Sequence, residues 1–283
     1  MAPPSSFVPK QAMSFDDKLF QIIGADETLH IAKHIMTLLP SFPSDAIIHD
    51  SACGLGPITQ EILATSPPSS IKIHATDFAP PMAGIYNQIS QARGWQITAK
   101  QMDVQNLNFP DDFFSHVFLS FGLPIIENPA AAAKEMYRTL KPGGTAITAF
   151  WLQIPQGENG SATRRAIWGP EAQLAIEPKP EHKDREYAPS LLVKGGFNAD
   201  DIQLFEKSAF LPVRDLDQFS TAIWTAIGQP VGGWTQEDED RWDEAVATYK
   251  ERLQKRTGFQ RDGNGNITIE AIAQVAIVKK PAV

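Results

Sequence analysis

The sequence predicts an α/β fold: a Rossmann-like, doubly wound, mainly parallel sheet of seven strands, with an N-terminal helical cap and a helical lid inserted late in the chain. Three observations carry that expectation. Short apolar runs alternate with amphipathic segments between residues 46 and 151, as crossover connections in a parallel sheet require. A glycine turn, Gly54 and Gly56, follows the first run and leads into a helix, so that backbone can approach a ligand closely. Asp50, Asp77 and Asp103 all fall at or near the carboxyl ends of predicted strands, the edge where such sheets take ligands.

Taken in order, residues 12–39 carry apolar side chains at helical intervals and read as one or two helices broken near Gly24. Strands are expected at 46–50, 71–77, 97–102, 116–121 and 145–151, with helices at 57–64, 81–93 and 129–140. Residues 153–196 are polar and Pro/Gly-rich, with apolar islands. A strand is expected at 202–210, helices at 217–227 and 237–254, and a final strand at 267–279. Asp262-Gly263-Asn264-Gly265-Asn266 imitates the start of a calcium loop but has Ile267 where the loop needs glycine, so it reads as a hairpin turn. The organisation expected is a cap over 1–40, a cofactor-binding core over 41–152, a lid with one core strand over 153–258, and the last core strand over 259–283.

With 283 residues and 42% hydrophobic side chains, the chain has ample material for a buried core. Its net charge of −8, with no basic run, argues against nucleic acid as a partner. Cys53 is the single cysteine, which excludes an intrachain disulfide. No apolar stretch reaches membrane-spanning length, and Met1–Ser6 lacks the basic start and apolar run of a signal peptide. A cytoplasmic protein acting on a small molecule is expected, without metal; nothing here bears on oligomeric state.

The three acids sharpen the reading. Asp77 lies 23 residues beyond Gly54, where a carboxylate can accept both ribose hydroxyl protons. Asp103-Val104 pairs an acid for an adenine amino group with an apolar residue for its flat face. A dinucleotide dehydrogenase would place a third glycine where Thr59 stands.

These residues resemble the class I S-adenosylmethionine-dependent methyltransferases. Asp50-Ser51-Ala52-Cys53-Gly54-Leu55-Gly56 is similar to that family's first motif, Asp77 to its ribose acid, and Asp103-Val104 to its adenine pair. Residues 108–117 and the turn Leu140-Lys141-Pro142-Gly143-Gly144-Thr145 are similar to the approaches to its fourth and fifth strands. The general layout resembles fungal secondary-metabolite methyltransferases of the gliotoxin thiomethyltransferase kind; Pro57, where many members carry a third small residue, is the departure. The resemblance implies S-adenosyl-L-methionine as cofactor, held by Asp50, Ala52, Gly54, Gly56, Asp77, Phe78, Met82, Asp103, Val104 and Ser120. It implies methyl transfer to an O, N or S atom of a small, apolar or aromatic metabolite. Phe20, Phe121, Trp151 and Trp168 are the candidate substrate wall, and His30 and His34 the candidate bases if one is needed. Cys53 and His116 read as core, and Trp234, Trp242 and Tyr249 as packing. Two alternatives stay open: a non-methylating enzyme on the same scaffold, such as a cyclase or pericyclase, and a cofactor-binding regulatory protein. An exposed apolar patch on the 217–254 helices would favour the latter.

Overall fold

A computed structural model describes residues 7–14, 17–23 and 25–282, without the side chains at 17, 20, 21, 25 and 26. In chain order, α1 (Asp17–Ile23) and α2 (Ala25–Leu38) precede β1 (Ile47–Ser51), α3 (Pro57–Ala64), β2 (Lys72–Asp77), α4 (Pro80–Arg93) and β3 (Ala99–Gln101). Then come β4 (Phe114–Ser120), α5 (Pro129–Thr139), β5 (Leu140–Gln153), α6 (Pro155–Trp168) and α7 (Tyr187–Gly195). The chain continues through β6 (Gln203–Val213), α8 (Leu216–Ile227), α9 (Gln236–Asp240), α10 (Trp242–Leu253), β7 (Phe259–Arg261) and β8 (Ile267–Lys279).

The sheet runs β3-β2-β1-β4-β5-β8-β6, with β7 paired to β8. The pairs β1–β2, β2–β3, β1–β4 and β4–β5 are parallel, and the reversal of strand order at β1 and β4 makes this a doubly wound, Rossmann-like fold. Eight strands stand where seven were expected, because the Asp262–Asn266 hairpin turn carries a short antiparallel partner, β7, ahead of β8. Leu140–Gly144 differs too. It forms an irregular start to β5, where Gly143 N–H donates to Lys280 C=O and Lys280 N–H to Gly144 C=O.

The chain divides into two compact units. The sheet unit comprises residues 28–152, 181–207 and those from 273 on. Its main core packs Val117, Leu119, Ala146 and Phe150 of the sheet against Ala132 and Met136 of α5 and Leu191 and Leu192 of α7. A second cluster sets Ala75 and Ala99 of β2 and β3 against Ala83 and Tyr86 of α4. His49, fully buried, stacks on Phe114 at 4.8 Å and meets Thr76 Oγ1 at 2.9 Å. Burial and the neighbouring His74 push it down to about 3, so it stays neutral. His116, which burial lowers to about 4, packs edge-on against Phe42.

The helical unit comprises residues up to 27, 153–180 and 208–272. Its core gathers Phe219, Ile223 and Trp224 of α8 with Trp234, Trp242 and Tyr249, which confirms the packing role of those aromatics. The expected single helix over 237–254 is broken at Arg241. A Thr235–Asp238 capping box starts α9, while Arg241 turns to donate to Ile167 C=O and Glu244. Asp238, 1% exposed, is paired with Arg164, whose guanidinium lies 3.8 Å from the Trp168 ring centre. α6 and α7 were not expected as helices. α6 buries Gln156, Asn159, Ser161, Thr163 and Arg164, so its inward face shows no apolar stripe to read.

Candidate functional site

After β1 the backbone passes through left-handed conformations at Ala52 (φ 52°), Gly54 (φ 51°) and Gly56 (φ 79°). Such a conformation costs a residue with a Cβ about 1–2 kcal/mol. Three bonds hold the turn. Cys53 N–H donates to Thr76 C=O (2.9 Å), Gly56 N–H to Cys53 C=O (2.8 Å), and Gly54 N–H to Asp77 Oδ2 (2.9 Å). Asp77 also takes Ala79 N–H on Oδ1 at 2.9 Å. One carboxylate therefore fixes the glycine turn to the carboxyl end of β2 and starts the chain toward α4.

The two glycines do different work. A Cβ at Gly56 would stand 2.8 Å from Tyr86 Cε2 and 3.1 Å from Trp95 Cζ3, whereas one at Gly54 would meet nothing within 4 Å. Gly56 is a packing glycine; Gly54 borders open space. Behind the turn, Tyr86 Oη donates to Thr59 Oγ1 (2.9 Å), and Thr59 donates from both N–H (3.1 Å) and Oγ1 (2.7 Å) to Asp50 Oδ2. Asp50 thus ties β1 to the first turn of α3. Burial outweighs those bonds and, with a contribution from Asp77, raises its carboxyl to about 7. Cys53 is buried among these groups and its thiol is pushed up by burial, Asp50 and Asp77, which excludes a resting thiolate.

Around the turn, Phe78 is 67% exposed directly after Asp77, and Met82 lies half-buried on α4. Beyond β3, Val104 is buried, and Asp103 accepts from Gln105 N–H at 2.9 Å and from its side-chain amide. Gln105, unnoticed in the sequence, also accepts Asn128 N–H and so joins this loop to the start of α5.

Ser120 ends β4, and Phe121 follows in the left-handed region (φ 61°), its N–H donating to Ala149 C=O at 2.6 Å. A bulky residue held there is strained, and its ring lies 4.5 Å from that of Trp151, nearly parallel at 24°. The two half-buried rings form one aromatic platform, Phe121 just past β4 and Trp151 within β5.

The remaining candidates are dispersed. His30 is exposed on α2, and His34, half-buried on the same helix, is lowered by burial, Lys207 and His30. Trp168 belongs to the helical unit, where it stacks on Trp224 and faces Arg164 and Arg241. The Phe20 side chain lies outside the described residues. Sequence reasoning missed Glu27 and Gln156, a buried pair in the helical unit joined by a 2.9 Å bond from Gln156 Nε2 to Glu27 Oε2. The signal was there: Glu27, Ile31 and Ile35 recur at intervals of four, and both isoleucines are fully buried.

Open space beside Gly54, an exposed aromatic ring after Asp77, and acceptor acids at the end of β2 and after β3 are the groups a nucleoside asks for. Among the described residues no group of three acidic, histidine or cysteine side chains could hold a metal, and no helix is long and apolar enough to cross a membrane. Residues 48–144 match the profile of the methyltransferase domain family. Over 258 residues, covering 83% of this chain and 85% of the relative, the sequence is 27% identical to methyltransferase tpcH of Aspergillus fumigatus. Among solved structures, the YcgJ protein of Bacillus subtilis superposes with a TM-score of 0.56 at 16% identity, over 89% of this chain and 99% of that one. Haemonchus contortus phosphoethanolamine N-methyltransferase 2, solved with phosphomonomethylethanolamine and S-adenosylhomocysteine, gives 0.53 at 15% identity. It is matched over 89% of this chain and 52% of its own.

Proposed function

We propose that this chain is a class I S-adenosylmethionine-dependent methyltransferase that methylates an O, N or S atom of a small, apolar or aromatic metabolite. The observation that carries the acceptor class is the Phe121–Trp151 platform, because stacked rings with little polar surface suit a flat apolar molecule better than a charged one. We also place the reaction in the cytoplasm and, on the likeness to the Aspergillus relative, in fungal secondary metabolism. α8, α9 and α10 present no exposed large apolar side chain among the described residues, which speaks against a regulatory protein acting through that face.

Each site residue then has a role. Asp77 accepts the ribose hydroxyls while holding the Gly54 turn, Asp103 and Val104 receive the adenine, and Phe78 and Met82 flank it. Ala52, Gly54 and Gly56 bring backbone close to the cofactor, Asp50 braces them from behind, and Ser120 borders the same edge. The cofactor supplies a methyl group on a sulfonium whose departure as a neutral thioether drives the transfer. The chain's part is alignment of acceptor and methyl, which can be worth about 7–11 kcal/mol. Trp168 and Phe20 are further wall candidates. His30 and His34 are the candidate bases, and burial, Lys207 and His30 lower the proton affinity of His34.

Calorimetric titration with S-adenosylmethionine and S-adenosylhomocysteine tests the cofactor roles. Asp77→Ala is expected to weaken binding by about 1.5–3 kcal/mol, the worth of hydrogen bonds to a charged group. Unchanged affinity removes the ribose assignment. Mass analysis of reactions with phenols, thiols and amines then identifies the acceptor atom by a gain of one methylene.

A further inference from the structure

The helical unit holds a polar pair that its own side chains leave unfinished. Glu27 and Gln156 are each 3% exposed, and Gln156 Nε2 donates to Glu27 Oε2. Glu27 Oε1 and Gln156 Oε1 have no partner among the described residues, and neither does Asn159 Oδ1, one turn further along α6. Asn159 and Tyr249 brace this stretch of α6, through Asn159 Nδ2 to Tyr249 C=O (2.7 Å) and Tyr249 Oη to Gln156 C=O (3.0 Å). Buried polar atoms without partners are unfavourable by about 1–3 kcal/mol each, so a fixed cluster of them points to a group that completes it. Along the chain, Gln156 follows the carboxyl end of β5 by three residues.

We propose that Glu27 and Gln156 form a binding site for a hydroxyl group of a small-molecule ligand. The two free atoms are both oxygens, and burial raises the Glu27 carboxyl to about 8, so that it carries a proton at neutral pH. The pair then shows one acceptor on the amide and one O–H on the acid. A hydroxyl both donates and accepts, and completes the two together. An ammonium group only donates. It would leave the carboxylic O–H unmatched or force a desolvated charge pair.

The test follows the Glu27 carboxyl carbon by NMR in the full chain labelled with carbon-13, its signal assigned by its absence in Glu27→Gln. Phenol and benzylamine are the probes. A saturable response to phenol, lost or shifted to at least about tenfold higher concentration in Gln156→Met, is the expected result. Circular dichroism and melting of each variant show that it is folded, and Gln156→Leu serves if Gln156→Met is not. A response to benzylamine and none to phenol overturns the hydroxyl assignment. A Glu27 signal that titrates but answers neither probe means a closed acid–amide pair with a structural role only, and overturns the site. Calorimetry with S-adenosylhomocysteine on the same sample keeps the two readings apart. Cofactor binding without a phenol response counts against this site alone, and absence of cofactor binding counts against the methyltransferase assignment.

Discussion

At the scale of single residues, the chain spends stability on groups whose ordinary proton affinity burial has changed. Glu27 is the plainest case. Its carboxyl is raised to about 8 in the folded state against about 4.5 when exposed, so folding favours the protonated form. Between those values the native state holds a proton that the unfolded state releases, and stability declines as pH rises from about 4.5 to about 8. Glu27→Gln removes that dependence. Its melting temperature should match the wild type near pH 4.5 and exceed it at pH 8, measured by differential scanning fluorimetry across the range. Parallel curves would mean that Glu27 titrates normally. His49 works in the opposite direction: neutral in the fold and lowered to about 3, it supports stability that is lost as pH falls below 6.5. Neither effect is legible in the sequence. Glu27 stands in Ala25-Asp26-Glu27-Thr28, a string that reads as a solvated helix start, and only its register with Ile31 and Ile35 hints otherwise.

At the scale of elements, the glycine turn shows how much local sequence can reveal and where it stops. The spacing of Gly54, Gly56 and Asp77 gave the turn, the acid and the strands that carry them, because short-range chemistry dictates all three. It did not distinguish the two glycines, since that difference arises from Tyr86 and Trp95 about thirty to forty residues away. The distinction is testable. Gly56→Ala combines a left-handed backbone with a clash against Tyr86, and is expected to lower stability by about 2 kcal/mol or more in urea unfolding. Gly54→Ala carries only the backbone penalty of about 1–2 kcal/mol, yet should weaken S-adenosylhomocysteine binding, because its methyl enters the space beside the turn. Equal losses of stability in the two would show that the turn is not packed as described. α6 marks the other limit. A helix whose inward face is Gln156, Asn159, Thr163 and Arg164 follows none of the apolar patterns from which helices are read, and is held by bonds to Tyr249 and Asp238 instead.

At the scale of the whole molecule, alternation of strand and helix was enough to give the class of fold and the core strands, since crossover connections leave few topologies. The two units were less legible, because each is assembled from three separated stretches of chain. β8 is the clearest consequence of that interleaving. It lies between β5 and β6 in the sheet although it comes after both in the chain. Its run of Ala273, Val275, Ala276 and Val278 is buried, and Ala276 and Val278 belong to the main core. A chain cut after residue 265 is therefore expected to lose cooperative unfolding by circular dichroism, and not merely one surface strand. A sharp transition in that fragment would show that β1 to β5 fold unaided.

The position of β8 also sets a timetable. During synthesis β5 emerges more than a hundred residues before β8, so over that interval the growing chain carries a hydrophobic strand with unpaired N–H and C=O groups along one flank. Until residues 267–279 are released, that flank is open to strands of other nascent chains. Yield in a cell is then governed by how well the half-made sheet is shielded, and slow translation past residue 153 becomes a hazard in its own right.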